Sequence, residues 1–260
     1  MISSSLRVIG VLSIGLALTA CGGDSDKPTE ADYDDVAQAL GGVVATGSGG
    51  GEVGSFVDAT AIAAGVPTLG ITVTAAGQFV GNRLGLSYDY GVACRDSAGA
   101  ALDRCGATTD AAQVDVAWSG DLTTPILTAA VTREGSFELT AMQTGTAVLN
   151  GTSALDIDAR FDSLFRQASR VYHVGYDATY EDVQVRLLPA GVIGGRVDYA
   201  LDVERMAQSA RGESSASFEI DAVLVFGTDG SATLTLDGEF SYAIDPLTGR
   251  AAKRAAVSGK

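Results

Sequence analysis

The segment from Leu155 to Asp162 reads Leu-Asp-Ile-Asp-Ala-Arg-Phe-Asp and alternates apolar with charged side chains without a break. Successive side chains of a β-strand point to opposite faces of a sheet, so this alternation predicts a strand with one buried and one wet face. The dipeptide Asn150-Gly151 lies just before it and predicts a tight hairpin turn from Ala147–Leu149 into this strand. The stretch therefore indicates an antiparallel sheet with a polar outer face.

The same period-two pattern recurs on both sides of this segment. Turn dipeptides, among them Glu134-Gly135, Asp229-Gly230 and Asp237-Gly238, separate the runs. We count about ten predicted strands joined by short turns, without the intervening helices of a parallel sheet. The pattern predicts a mainly β fold built on one large antiparallel meander sheet. The further runs begin near Ile71, Val114, Ile126, Phe137, Tyr172, Val197, Phe218, Leu234 and Phe240.

One helix is predicted ahead of the sheet, over Thr29–Leu40. Thr29 is a typical N-cap with Asp32 three residues later, and Gly41-Gly42 is expected to end the helix. Its apolar stripe must pack on something, most simply the sheet. We expect a curled sheet with this amphipathic helix in its concave side, ahead of a closed barrel and then a two-layer sandwich. The stripe consists of Tyr33, Val36, Ala37 and Leu40.

Two other segments allow more than one interpretation. Gly49, Gly51 and Gly54 match G-x-G-x-x-G, but no βαβ unit surrounds them, so Gly47–Gly54 is predicted to be a linker or turn rather than a dinucleotide site. Phe161–Ala168 also fits helical spacing, which leaves open a short helix after the Leu155 strand.

The N-terminus carries a targeting signal. Arg7 is followed by an apolar stretch from Val8 to Leu18 and then by Leu18-Thr19-Ala20-Cys21. At about ten residues the stretch is too short to cross a hydrocarbon core, and the segment is typical of a cleaved signal peptide. The four residues resemble the lipobox of bacterial lipoproteins. This resemblance implies cleavage before Cys21 by signal peptidase II, a diacylglycerol on its thiol, an acylated amine, and, with Gly22 next, sorting to the outer membrane.

These signals predict four regions. Residues 1–20 form the signal peptide, 21–28 a lipidated tether, 29–248 a single β-rich domain, and 249–260 a basic, unstructured tail.

Charge limits the classes of partner. The chain has 17 basic and 32 acidic residues, a net charge of −15, which becomes −16 when Arg7 is removed with the signal. Phosphate binding needs clustered Lys and Arg, so nucleic acid is excluded as the expected partner. The protein is expected to attach to the membrane through its lipid anchor rather than through surface charge.

Two cysteines remain once Cys21 is assigned to lipid. Cys94 and Cys105 lie close together in a loop rich in Gly, Ala and Asp. In the oxidising envelope they are expected to form a disulfide. A metal pair is the weaker alternative, since two thiols without a neighbouring histidine supply too few ligands for a closed zinc site.

The residues predict no catalytic constellation, no metal site and no cofactor. His173 is the only histidine, it lies within a strand pattern, and no serine is in a G-x-S-x-G elbow. The clustered carboxylates are interpreted as a wet strand face; calcium binding and a glycosidase-type acid pair stay open. These carboxylates are Asp156, Asp158, Asp162, Asp177, Glu181 and Asp182.

Aromatic residues supply a last candidate. Trp118 and the tyrosines of the Tyr172 strand could line an apolar pocket, although such side chains belong more often to the core. We therefore expect a non-enzymatic outer-membrane lipoprotein that binds an apolar ligand or an envelope protein. The alternative is an envelope hydrolase that uses carboxylates.

Overall fold

The computed structural model describes residues 27–46, 51–83, 85–123, 128–163, 168–209 and 212–254. Cys21, the predicted signal peptide and most of the predicted tether therefore lie outside the described residues.

One antiparallel sheet forms the body of the protein. Its twelve strands are paired in chain order from β1 to β12, so each strand neighbours the strands before and after it. This is the predicted meander, with two strands more than were counted. The strands are β1 Ile71–Ala75, β2 Gln78–Arg83, β3 Leu86–Arg95, β4 Ala111–Thr123, β5 Thr128–Thr140, β6 Thr146–Ser163, β7 Ala168–Leu187, β8 Ala190–Ser209, β9 Gly212–Phe226, β10 Ala232–Leu236, β11 Phe240–Ile244 and β12 Ala251–Lys253.

Two of the predicted turns are wrong. Asn150-Gly151 lies inside β6, where the pairing with β7 shifts register between Leu149 and Gly151, so the dipeptide forms a bulge. Glu134-Gly135 lies inside β5. The chain instead reverses at a 3₁₀ turn, Met142–Thr144, flanked by Ala141 and Gly145 in left-handed conformations. The predicted turns at Asp229-Gly230 and Asp237-Gly238 do connect strands.

The predicted first helix is confirmed as α1, Glu30–Val44, and it begins as expected. The Thr29 backbone N–H donates to Asp32 Oδ2 at 2.8 Å, as in a capping box. The helix does not end at Gly41-Gly42 but continues to Val44. A Cβ at Gly41 would lie 2.3 Å from the Gly249 carbonyl oxygen, so glycine permits close packing at this point.

A second helix, α2, spans Gly51–Ala63 and corrects the linker prediction at Gly51–Gly54; the remainder of that predicted linker, 47–50, lies outside the described residues. Gly51 begins the helix with φ +47°, and Gly54 lies within it. Nearly every residue of α2 is buried. A helix buried on all sides has no apolar stripe, which is why the periodicity of the sequence did not reveal it.

The sheet curls around α2. This helix contacts β3 and β4 on one side and β7 and β8 on the other. In a flat sheet β3 and β8 would be about 24 Å apart, whereas a helix with its side chains is about 10–12 Å across. The expected curled sheet with helical cover is therefore confirmed, with two helices rather than one. It is a single open sheet with β1 and β12 at its edges, neither a closed barrel nor a sandwich.

The inner face of the sheet forms one continuous core with the helices. Trp118 and Tyr172 are 2% and 1% exposed and belong to this core, in agreement with the core interpretation. Within the described residues, neither helix is both long and apolar enough to cross a bilayer.

Two further segments differ from expectation. Phe161–Ser163 end β6 and Ala168 begins β7, so these residues are strand rather than helix; 164–167 lie outside the described residues. In the predicted tail, Ala251–Lys253 pair with β11 as β12. The tail beyond Arg254 lies outside the described residues.

Candidate functional site

An apolar groove opens at the β1 end of the sheet. It has a volume of about 720 Å³ and lies between the end of α2, the connector to β1, the β1–β2 hairpin and the loop closed by Cys94 and Cys105. We call it the β1 groove. Its main apolar lining residues are Ile62, Val66, Ile71, Val73, Phe79 and Leu102.

Exposed apolar side chains cluster beside this groove. Val66, Leu69 and Val73 are 48%, 90% and 68% exposed, and they lie within eight residues of each other. They are three of the seven large hydrophobic residues found exposed among the described residues. Single exposed hydrophobics are ordinary, whereas a contiguous group marks an interaction site.

The groove exists because the apolar face of the sheet extends farther than its helical cover. Tyr90 on β3 faces inward and is fully buried, whereas Val73, two strands away on the same face, is exposed. α2 ends at Ala63, and the connector turns away at Gly65, where a Cβ would lie 2.8 Å from the Gly106 Cα. The inner face beyond this point is left uncovered.

The segment that supplies the α2, connector and β1–β2 walls of the groove carries no charged side chain. The 24 residues from Ala59 to Asn82 include no Asp, Glu, Lys, Arg or His, the longest such run in the chain. An ion pair joins the residues that flank it, since Arg83 Nη1 lies 2.8 Å from Asp58 Oδ2. Arg83 Nε also donates to the Leu69 carbonyl at 2.8 Å, which fixes the connector. Burial raises the pKa of Asp58, and Arg83 opposes this effect only in part.

The Cys94–Cys105 disulfide forms one wall of the groove. The two Cα atoms are 5.3 Å apart, and the Leu102 N–H donates to the Cys94 carbonyl at 2.9 Å. The bond is consistent with the pairing expected from the sequence, and it holds Leu102 against the groove. Cys21, the predicted lipidation site, lies outside the described residues.

A buried charged cluster, which the sequence interpretation missed, lies at the N-terminal end of α2. Glu52 is fully buried and accepts hydrogen bonds from three tyrosine hydroxyls. Tyr176 and Tyr180 donate to its Oε1 at 2.5 and 2.7 Å, and Tyr199 donates to Oε2 at 2.9 Å. Arg133, 1% exposed, places its Nε 3.6 Å from Glu52 Oε1. We call these five residues the Glu52 cluster.

The Glu52 cluster anchors α2 to β5, β7 and β8. Arg133 Nη2 donates to the Tyr180 hydroxyl at 2.9 Å, and its guanidinium lies within 5.8 Å of the Phe56 and Phe137 ring centres. Burial raises the pKa values of Tyr176 and Tyr199, and the negative charge of Glu52 raises both pKa values further. Both hydroxyls therefore stay protonated and act as donors. The cluster is buried within the core, so its role is to position α2.

α1 is held in the same way. Arg205 donates to Asp32, and the Tyr172 hydroxyl donates to Asp32 Oδ1 at 2.8 Å. Burial would raise the pKa of Asp32, but hydrogen bonds from Arg205, Thr29 and Tyr172 outweigh it and hold the pKa below its usual value. Arg170 Nη1 pairs with Asp35 Oδ2 at 2.9 Å.

All six carboxylates of the helices contact strand side chains, and neither helix contains a basic residue. A signal for this arrangement was present in the sequence. Arg133 occupies an inward position in the alternation of β5, where Val131 and Phe137 are also buried. The helix carboxylates are Glu30, Asp32, Asp34, Asp35, Glu52 and Asp58.

The predicted carboxylate face lies on the outside of the sheet at its five described side chains, which are Asp156, Asp158, Asp177, Glu181 and Asp182. Asp158 Oδ1 is 2.9 Å from His173 Nδ1, and this hydrogen bond raises the pKa of the exposed histidine. A shallow outer groove of about 740 Å³ includes Asp89, Asp115 and Asp177 in its lining. Within the described part of the chain, no three His, Cys, Asp or Glu side chains are grouped so that they could hold a metal ion.

No family model, curated protein or solved structure matches this chain. Its function is therefore inferred from its geometry, and the β1 groove has the more apolar lining of the two grooves described above.

Proposed function

We propose that this protein is a non-enzymatic binding module of the bacterial cell envelope that holds an apolar ligand in the β1 groove. Lipidated Cys21 would anchor it to the outer membrane. The observation that carries the proposal is an apolar groove of about 720 Å³ whose lining includes the exposed side chains of Val66 and Val73. Small-molecule sites are mostly apolar clefts of about 300–1,000 Å³.

The lining favours a ligand with an apolar body and a weakly polar end. Apolar side chains from four segments converge on the groove. The polar side chains in its lining are those of Thr68, Asp103 and Arg104. Burial of apolar ligand surface stabilises a complex by about 25 cal/mol per Å² before the costs of association. An acyl chain or a similar hydrocarbon fits this chemistry.

Binding is tested with a fluorescent long-chain fatty acid titrated into the purified protein. Leu102→Glu places a charge in the groove and is expected to weaken binding at least about tenfold, because the carboxylate must be desolvated. Leu188→Glu is the matched control, since Leu188 is 89% exposed and lies on the β7–β8 connection. Circular dichroism checks that both variants fold. Absence of binding, or equal binding by both variants, would overturn the proposed ligand.

Anchoring is tested separately by mass spectrometry and cell fractionation. The mature chain is expected to begin at Cys21 with the added mass of its acyl groups, and Cys21→Ser is expected to leave the membrane fraction. Several acyl chains together hold a protein stably on a bilayer. An unmodified N-terminus would overturn the anchor and leave the groove proposal intact.

A further inference from the structure

The two edges of the sheet are protected differently. The α1 residue Gln38 covers β12: its Nε2 donates to the Ala251 carbonyl at 2.6 Å, and its Oε1 accepts from the Ala251 N–H at 3.2 Å. Lys253 on the same strand pairs with Glu30. Cover and charge of this kind are the usual protection of an edge strand against pairing with another chain.

β1 has no described side chain covering its backbone and no charged residue, and the Ile71 N–H donates to the Thr68 carbonyl at 3.2 Å, a turn hydrogen bond that pairing would exchange. It pairs only with β2 among the described strands, and it lies within the charge-free run from Ala59 to Asn82. The register shift between Val73 and Ala75 places a bulge at Thr74, so Ile71–Val73 is the regular part of the strand. The inward side chain of Val73 is exposed beside this open edge.

We propose that β1 pairs antiparallel with β1 of a second copy of this chain, around a two-fold axis at Thr72. Ile71 would face Val73 of the second copy, and the two Thr72 residues would face each other. The two sheets would then be continuous, and each copy would supply a wall to the other's β1 groove. Pairing does not require that the groove hold a ligand.

Electrostatics favour this edge for self-association. Each full chain carries a net charge of −15, which becomes −16 without the predicted signal peptide, so contacts between acidic surfaces oppose like charges. The charge-free run from Ala59 to Asn82 is the longest segment at which two copies can meet without repulsion between like charges. A symmetric dimer needs a self-complementary patch. Ile71–Val73 provides one, because each Ile71 would face the Val73 of the other copy and the two Thr72 residues would face each other.

The side chains suit such pairing as well. Directly opposed β-branched residues and threonine pairs stabilise antiparallel strands relative to alanine pairs. Exposed Val66, Leu69 and Val73 supply apolar surface next to the strand. A short strand with a small apolar border makes a small interface, so we expect dissociation in the micromolar range.

The oligomeric state of the full mature protein in mild detergent tests the proposal, by sedimentation up to about 100 µM. The protein is expected to become dimeric with rising concentration, and Val73→Lys is expected to stay monomeric because the charge would have to be buried at the new contact. Val225→Lys is the matched control. Val225 is 47% exposed on β9, and its segment is paired with strands on both sides.

A cross-link tests the register. Thr72→Cys is expected to give a covalent dimer under mild oxidation, because residues facing each other in antiparallel strands lie within disulfide range. Thr132→Cys, exposed in the middle of β5, is expected to give none. A wild-type monomer at the highest concentration, a Val73→Lys dimer, or equal cross-linking of both cysteine variants would overturn the proposal. Capture of an unrelated protein through β1 in place of self-pairing would overturn it as well.

Discussion

Glu52 is a fully buried carboxylate that accepts hydrogen bonds from three tyrosines and lies beside Arg133. Glu52→Gln would leave the buried Arg133 guanidinium without its counter-charge. Removing one partner of a buried pair typically costs about 3–5 kcal/mol, because the remaining charge is buried and unpaired. We expect a loss of this size in the free energy of unfolding, measured by urea titration.

Two companion variants separate the charge from its surroundings. Glu134→Gln, next to Arg133 but exposed on the outer face, is expected to change stability by less than about 0.5 kcal/mol. The double variant Glu52→Gln with Arg133→Met is expected to recover part of the loss, since no unpaired charge remains. If both Glu52 variants were as stable as wild type, the cluster would not anchor α2.

His173 allows a direct measurement on the outer face because it is the only histidine in the chain. Its hydrogen bond to Asp158 raises its pKa, so we expect an NMR titration midpoint above the usual value of about 6.5. The associated stabilisation is fully present below about pH 6.5 and is lost as pH rises through the folded-state pKa. Asp158→Asn is expected to lower the midpoint. An unchanged midpoint would contradict the hydrogen bond.

Two helical glycines give opposite predictions. Gly41→Ala would place a Cβ 2.3 Å from the Gly249 carbonyl oxygen. Because that oxygen belongs to the backbone and cannot rotate away as a side chain would, α1 must shift. We expect a loss of about 1–3 kcal/mol. Gly54→Ala meets nothing within 4 Å and lies within α2, so we expect a gain of about 0.5–1 kcal/mol from its higher helix propensity. Thermal unfolding distinguishes the two, and equal shifts would contradict the close approach of α1 to Gly249.

The elements also show what periodicity can and cannot reveal. α1 was predictable because Thr29 and Asp32 form a local signal and its stripe is one-sided. α2 was not, because a fully enclosed helix has apolar residues on every side. Asn150-Gly151 is favourable in a hairpin turn, but the β5–β6 and β6–β7 pairings extend through it and convert it into a bulge. Long-range pairing therefore outweighed a local turn preference.

Alkaline pH is expected to destabilise the molecule through the tyrosines of the Glu52 cluster. Burial raises the pKa of Tyr176, Tyr180 and Tyr199, so the folded state keeps their protons while the unfolded state releases them near pH 10. The free energy of unfolding is therefore expected to fall as pH rises above about 10.

The urea midpoint and the absorbance of tyrosinate, both followed against pH, check this expectation. The buried tyrosines should ionise only as the protein unfolds. Ionisation of all eight tyrosines near pH 10 in the folded protein would contradict it.

The architecture was more predictable than the site. Alternation such as that of Leu155–Asp162 fixes which face of each strand is buried, and short turns then impose a meander. The β1 groove depends on where α2 ends relative to β1, and its disulfide wall depends on a loop packed against Gly65. These are tertiary relations without a local sequence pattern. The uncharged run from Ala59 to Asn82 is visible in the sequence. It indicates a binding surface only once the structure places it at an open edge of the sheet.

The acidic helices also affect how the chain reaches its fold. They are made early during synthesis, but their counter-groups come much later: Arg205 follows Asp32 by 173 residues, and Tyr242 follows Asp34 by 208. Until those strands exist, the first segment carries unpaired carboxylates and uncovered apolar side chains. Contacts of such sequence separation slow folding and prolong exposure of aggregation-prone surface. The N-terminal helices are therefore expected to dock only after these strands have been made.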